Sequence, residues 1–393
     1  MAGSLGQLIL FRVIQGLAGG GLQPSSQGVL LDAFPVEKQG IAMTLFGFAA
    51  LIAPAVGPTL GGWITDSYSW RWVFLINVPV GLLAFAGSYA VLRDPDYLTT
   101  QRMELRKQPF HFDSIGSSLL VIVMVSWDVM LSKGQEWDWL GDPFWRVQTL
   151  TILFTGGLVG LIFWELRHRN PVVKFRPLAE RNFAGCCIII FCAYLALYAA
   201  STSLPGLLQS LFGYDALSAG LVMSPAGVFA VLAMPVVGRL LGRGTDARWL
   251  IASGLLIMTA GNYWMSQLYL DISPGQAIWP RVLVVAGLAV CFVPAKVAAY
   301  LYTPMALRGA AVGLLSLLRN EGGSVGTSLA QTFQERRDQF HTMRLGEFLD
   351  PFNAAANSFI ARGQAFFLQQ TADPVASQQL GNLCKSRCPI TVL

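Results

Sequence analysis

The chain has 393 residues, of which 54% are hydrophobic and only 12% charged, against about 25% charged in soluble domains. That balance excludes an ordinary soluble globular protein, so the length is better counted in membrane spans than in domains. The net charge of +5 is spread along the chain, and no nucleic-acid partner is expected from it.

Ten apolar runs are predicted to cross a bilayer: 5–31, 41–64, 72–92, 115–131, 147–166, 184–204, 216–241, 249–270, 278–301 and 310–333. All are read as helices, because lipid cannot satisfy exposed backbone groups and no strand-like alternation suggests a barrel. The first run holds Arg12, seven residues after Leu5 and so about 10 Å along a helix, with Gln15 one turn on. A charge at mid-membrane costs about 2.5–3.5 kcal/mol on insertion scales and calls for a reason. Snorkelling toward the outer surface is one reason, and function is the other. Gly19, Gly20 and Gly21 suit a close helix contact or a cavity wall.

The second run contains Ala53-Pro54-Ala55-Val56-Gly57-Pro58-Thr59-Leu60-Gly61-Gly62. Ala53, Gly57 and Gly61 recur every four residues and form a smooth stripe that lets another helix approach. Pro58 removes a backbone donor and should make this helix bendable. Gly57→Leu would place a large side chain on that stripe.

Basic residues alternate between loops. The segments 34–40, 93–114, 167–183, 239–248 and 302–309 hold fourteen of them, from Lys38 to Arg308, whereas the opposite loops hold Arg71, Lys133, Arg146 and Arg281. The positive-inside rule then puts Met1 and the segment after residue 334 outside. Trp137, Trp139 and Trp145, in an outer loop, suit an interfacial belt. Asp128, three residues from the outer end of its run, and Lys296, five from the inner end of its own, are read as reaching the interfaces. Cys186, Cys187, Cys192 and Cys291 lie in spans as small hydrophobes. Cys384 and Cys388 lack the partners of a zinc site. There is no phosphate loop to suggest ATP as energy source.

Glu321 is central in the last run, after Arg319 and Asn320. Arg319 and Glu321, two apart, do not face each other on one helix. The Glu should pair with another helix or be protonated part of the time, which suits a proton carrier. A buried ion pair with no transport role is the competing reading.

Three segments carry a resemblance. Leu8–Gly16 resembles the L-x-x-x-R-x-x-Q-G motif of a fourth span in the major facilitator superfamily. Ala53–Gly62 resembles its antiporter motif G-x-x-x-G-P-x-x-G-G, with Ala53 at the first Gly. Trp70–Gly81 resembles the entry to its sixth span. The pattern is most similar to the fourteen-span drug:proton antiporter branch, EmrB/QacA type, over about residues 1–350. Arg12-Val13 followed by glycines and Pro24 also has an echo in Arg281-Val282, Gly287 and Pro294, as expected of a transporter built from three-span repeats.

The resemblance implies an all-α polytopic membrane protein of the major facilitator fold, in the cell's inner (cytoplasmic) membrane. It implies a partial N-terminal bundle over 1–92, an extra span pair with cytoplasmic loops over 93–183, a C-terminal bundle over 184–333, and an external loop and tail over 334–393. Family spans one to three and fourteen are then missing. The implied activity is multidrug efflux by alternating access, exchanging small hydrophobic or cationic compounds for protons, with no cofactor and the proton gradient as energy source. Arg12, by the resemblance, and Glu321, by its depth in the last run and as a departure from the family's usually apolar position, are the expected proton-coupling residues, with Gln15 and Arg319 as transport-path candidates. Ala53, Gly57, Pro58, Gly61 and Gly62 form the conformational motif. A periplasmic adaptor and an outer-membrane duct are the implied partners. Export of one specific metabolite or antibiotic, or a non-transporting fragment, are the alternatives. An enzyme is not expected, because no nucleophile–base or metal constellation is present.

Overall fold

The computed structural model describes residues 4–35, 39–91, 113–141, 143–168, 171–210, 212–269, 273–346, 358 and 361–362. Among the described residues every regular element is helical, as a hydrocarbon surround demands. The first expected span is a broken helix, α1 (Leu5–Gly19) and α2 (Leu22–Ala33). The break falls at Gly20 and Gly21, where glycine has poor helix propensity. A Cβ at Gly19 or Gly21 would meet nothing within 4 Å, so the glycine run marks a break and not a close contact. The second span is α3 (Gln39–Ser67) and the third is again broken, into α4 (Trp72–Leu75) and α5 (Asn77–Val91). Then come α6 (Ser114–Lys133), α7 (Arg146–Arg167), α8 (Arg181–Ser210), α9 (Ala216–Gly242), α10 (Ala247–Ser266), α11 (Pro274–Leu301) and α12 (Met305–Gly346).

Ten helical stretches thus answer to the ten expected spans. By length and composition seven of them, among the described residues, are apolar enough to cross a membrane: Leu5–Leu30, Trp72–Ala90, α6, α7, α8, α9 and Gly275–Leu301. α12 falls short with Arg319, Asn320 and Glu321 in mid-run, and α10 with Asn262 and two aromatics near its end. α6, expected at the short limit of a span, is extended to 20 residues because Asp113 caps it, accepting the Gly116 N–H at 2.8 Å. Asp215 caps α9 from the Ser218 N–H and Asp246 caps α10 from the Arg248 N–H.

Two compact units are resolved, Met1–Ser328 and Leu329–Leu393. In the first, α9 packs along both α3 and α11, α10 along α11, and α6 along α7. Small residues make these approaches possible. A Cβ on Gly287 of α11 would lie 2.6 Å from the Met258 nitrogen of α10, and one on Gly254 would lie 2.7 Å from the Gly287 carbonyl oxygen. Phe183, Ile190, Met234, Phe292 and Leu315 are fully buried at the centre. Cys186, Cys187 and Cys291 join this core, whereas Cys192 faces outward. Of the second unit, the described part is the polar end of α12, mostly exposed, with residues 358 and 361–362. The segment 92–112 and the tail with Cys384 and Cys388 lie outside the described residues.

Candidate functional site: a buried cationic cage

Helix periodicity puts Arg12 and Gln15 on one face of α1, and they do meet: the Arg12 guanidinium donates to Gln15 Oε1 at 3.2 Å. Phe74 of α4 lies under the guanidinium, 4.5 Å to the ring centre. Together with Leu8, Phe11, Trp70 and Leu75 these residues line a cleft of about 170 Å³. Both polar side chains are exposed, and α1 buries none of its residues.

Glu321 is on a different surface. It is half-buried on α12 and faces Trp127 and Asp128 of α6. Its Oε2 is buried without a hydrogen-bond partner. One turn on, Ser324 donates to Asp128 Oδ1 at 2.8 Å, and Ser328 donates to the Leu131 carbonyl at 2.7 Å. Asp128 is therefore more than an interfacial bystander: it joins Glu321 in a carboxylate pair between α6 and α12. Among the described residues no ion pair neutralises Glu321, and none joins it to Arg12.

Arg319 points away from Glu321, as their spacing requires. It is buried, donates to Gln23 of α2 and to Asn320 Oδ1, the latter at 2.9 Å, and stands 5.5 Å from the ring centre of Tyr194. Beside this sits a residue that the sequence reading misplaced. Lys296 does not snorkel; it is 3% exposed. Its ammonium donates to Gln27 Oε1 at 3.0 Å and lies over the rings of Phe46 and Phe292, at 4.2 and 4.4 Å. Gln27 in turn donates to the Tyr300 hydroxyl at 2.9 Å. Distance from a helix end suggested an interface for Lys296, but α2 and α3 cover that end of α11. The result is a cage of two cations, two glutamines and aromatic faces inside an apolar bundle. Cation–π contact strengthens where water is excluded.

Arg281, an outer-loop residue by charge counting, is also buried, at 6% exposure. It donates to Ser201 Oγ of α8 at 2.6 Å, and its Nε and Nη1 have no partner. Its echo of Arg12 was the one signal in the sequence that could have singled it out. For Gln23, Gln27 and Tyr300 there was no such signal.

The glycine motif of α3 behaves differently from expectation. The helix runs unbroken through Pro58; the side chains of Ala53 and Pro58 lie outside the described residues. A Cβ at Gly57 or Gly61 would meet nothing within 4 Å. The close approach is made instead at Gly62, where a Cβ would sit 2.5 Å from the Ala216 carbonyl oxygen of α9. Gly62 is about 100° around the helix from Gly61, so it points to α9 while the four-residue stripe does not. Thr59 bonds Ser224 and Asp66 accepts the Leu217 N–H at 3.0 Å along the same seam.

The Major Facilitator Superfamily family model matches residues 1–327. The chain belongs to the major facilitator superfamily. As a member, it is a multi-pass transporter-family protein of the cytoplasmic membrane. It is similar to the multidrug export protein EmrB of Escherichia coli (strain K12), 33% identical over 97% of this chain and 73% of that protein. It is 34% identical to EmrB of Haemophilus influenzae over 94% of this chain and 71% of the relative. It is 30% identical to the fatty acid resistance protein FarB of Neisseria gonorrhoeae, over 92% and 69%. In this facilitator the cage lies where α2, α3, α8, α11 and α12 converge.

Proposed function

We propose that the protein is a multidrug efflux transporter that exchanges hydrophobic small molecules for protons by alternating access. The observation that carries this reading is the cage itself: charged and amide groups held deep in an otherwise apolar helix bundle, in a chain whose relatives are multidrug export proteins. Buried charge in a membrane bundle is expensive and marks a substrate or ion pathway. Aromatic faces on Phe46, Tyr194 and Phe292 provide the apolar wall of a permissive site.

Proton coupling is assigned to Glu321, now with Asp128 beside it. Asp128 gives Glu321 a second carboxylate at the same contact between α6 and α12. Arg12 assists from its own cleft and makes no contact with Glu321. The proton gradient is the energy source, with no cofactor. The polar end of α12 and the segment after it, residues 340–375, are proposed to dock a periplasmic adaptor leading to an outer-membrane duct. Cross-linking from that segment should capture the adaptor in a two-membrane cell.

The test of export is extrusion of a hydrophobic dye from proteoliposomes containing the full chain. Extrusion should require an imposed pH gradient and stop when the gradient is collapsed. Equal flux with and without the gradient would remove the coupling part of the proposal.

A further inference from the structure

Among the described residues three cations are buried in the first unit: Lys296 at 3%, Arg281 at 6% and Arg319 at 9% exposure. Each donates to neutral groups. Lys296 bonds the amide oxygen of Gln27, Arg319 the amide oxygens of Gln23 and Asn320, and Arg281 the hydroxyl of Ser201. Among the described residues none of the three forms an ion pair. Amide and hydroxyl oxygens fix a cation's position without cancelling its charge. Uncompensated burial of charge costs several kcal/mol per ion. Glu321, two residues from Arg319, is turned to α6 and does not offset the cage.

We infer that the cage binds the anionic head of an amphipathic substrate, a carboxylate or its like, between Lys296 and Arg319, and that Arg281 with Ser201 is a second anion contact farther along α11. The inference rests on the export reading above and narrows its substrate class.

Two features place the second contact on the same route. Arg281 and Lys296 are 15 residues apart on one helix, about 22 Å along its axis and about 60° around it. Both lie near α8: Arg281 meets Ser201, and Phe292, under Lys296, meets Tyr194 two turns from Ser201. Arg281 also keeps two N–H donors, Nε and Nη1, buried and unpartnered. Such donors lose free energy until an acceptor arrives, and a carboxylate suits a guanidinium fork. The aromatic rings over Lys296 leave the tail apolar surface to lie on. A cationic substrate would be repelled by the two cations already in the cage.

The test uses the full chain in nanodiscs of zwitterionic phosphatidylcholine, with binding of radiolabelled decanoate, decanamide and decyltrimethylammonium measured side by side. Decanoate should bind about tenfold more tightly than decanamide, the difference expected of a charge-assisted over a neutral hydrogen bond. Decyltrimethylammonium should bind most weakly. Lys296→Met and Arg281→Met should each weaken decanoate about tenfold and leave decanamide within about twofold, so that the amide reports on folding. Lys296→Arg should keep most of the decanoate affinity.

Equal affinity for decanoate and decanamide, or tightest binding of the ammonium, overturns the anion assignment while leaving export intact. Decanoate affinity unchanged in Arg281→Met removes the second contact. Loss of decanoate binding in phosphatidylglycerol nanodiscs, with decanamide retained, gives the cage to a lipid headgroup and overturns a substrate role. If none of the three compounds binds and the dye of the previous section is not extruded, the export reading fails with it.

Discussion

α1 and α11 carry the same short pattern, an Arg-Val pair followed by glycines and a proline, yet they occupy opposite environments. Arg12 is exposed and has Gln15 and Phe74 around it. Arg281 is buried, holds one hydrogen bond and leaves two donors unmet. α1 buries no residue, whereas α11 is buried along most of its length. A repeated motif thus transmits residue type and spacing but not dielectric environment. The same guanidinium is cheap in one place and costly in the other.

The contrast is broken or sharpened first by bulk. Gly287→Leu forces a side chain into the α10 backbone and should destabilise the protein by about 3 kcal/mol. Gly16→Leu on α1, with nothing within 4 Å, should change stability by less than about 0.5 kcal/mol. Thermal unfolding in detergent, followed by tryptophan fluorescence, reads both. Equal losses would mean that α1 is packed after all. Gly62→Leu should resemble Gly287→Leu, and Gly57→Leu should resemble Gly16→Leu.

Charge gives the next largest effect. Glu321→Gln should lower gradient-driven export at least about tenfold while substrate binding persists, because the exchangeable proton is lost and the shape kept. Arg12→Lys, at an exposed site, should lower it by only about twofold. Transport by proteoliposomes across a pH gradient separates the two. Normal export by Glu321→Gln would reduce this residue to a structural role.

Stability of the two arginines should differ in sign. Arg281→Met removes a buried, poorly paired charge and should raise stability by about 1 kcal/mol. Arg12→Met should shift it by less than about 0.5 kcal/mol. A destabilised Arg281→Met would show that the Ser201 bond outweighs the desolvation of the charge. Unfolding midpoints in denaturant decide this.

The smallest effect concerns helix starts. The Gly116 N–H, with the Trp164 indole, holds the Asp113 carboxyl below its ordinary value of 3.8. The Ser218 hydroxyl and N–H do the same for Asp215. A lowered acid stabilises the fold above its unfolded value, and that contribution is lost as pH falls through the lower folded value. Hydrogen exchange at the first turns of α6 and α9 should therefore speed up below about pH 3.8. Asp113→Asn should remove that acid dependence at α6 while leaving α9 unchanged.

Much of the architecture was legible in one dimension. Ten apolar runs became ten helical stretches, and the Arg12–Gln15 pair followed from helical spacing alone. The separation of Arg319 from Glu321 followed from the same geometry. Other readings failed for a common reason. Lys296 was assigned to an interface by its distance from a helix end, but α2 and α3 cover that end of α11; Asp128, read the same way, does stay exposed, with Ser324 of α12 against it. The α3 stripe was read from a four-residue period, whereas the partner α9 lies along the face of Gly62.

Composition and periodicity therefore determined that this is a helical membrane protein, where its spans fall, and which residue types carry charge within them. Those properties depend on each segment and the lipid around it, because every span must satisfy its own backbone. Only the tertiary structure decided which charges are buried together, which carboxylates stand together and which glycines touch. Burial and pairing belong to two helices at once, and a residue's distance from its own helix end does not specify the helix packed against it.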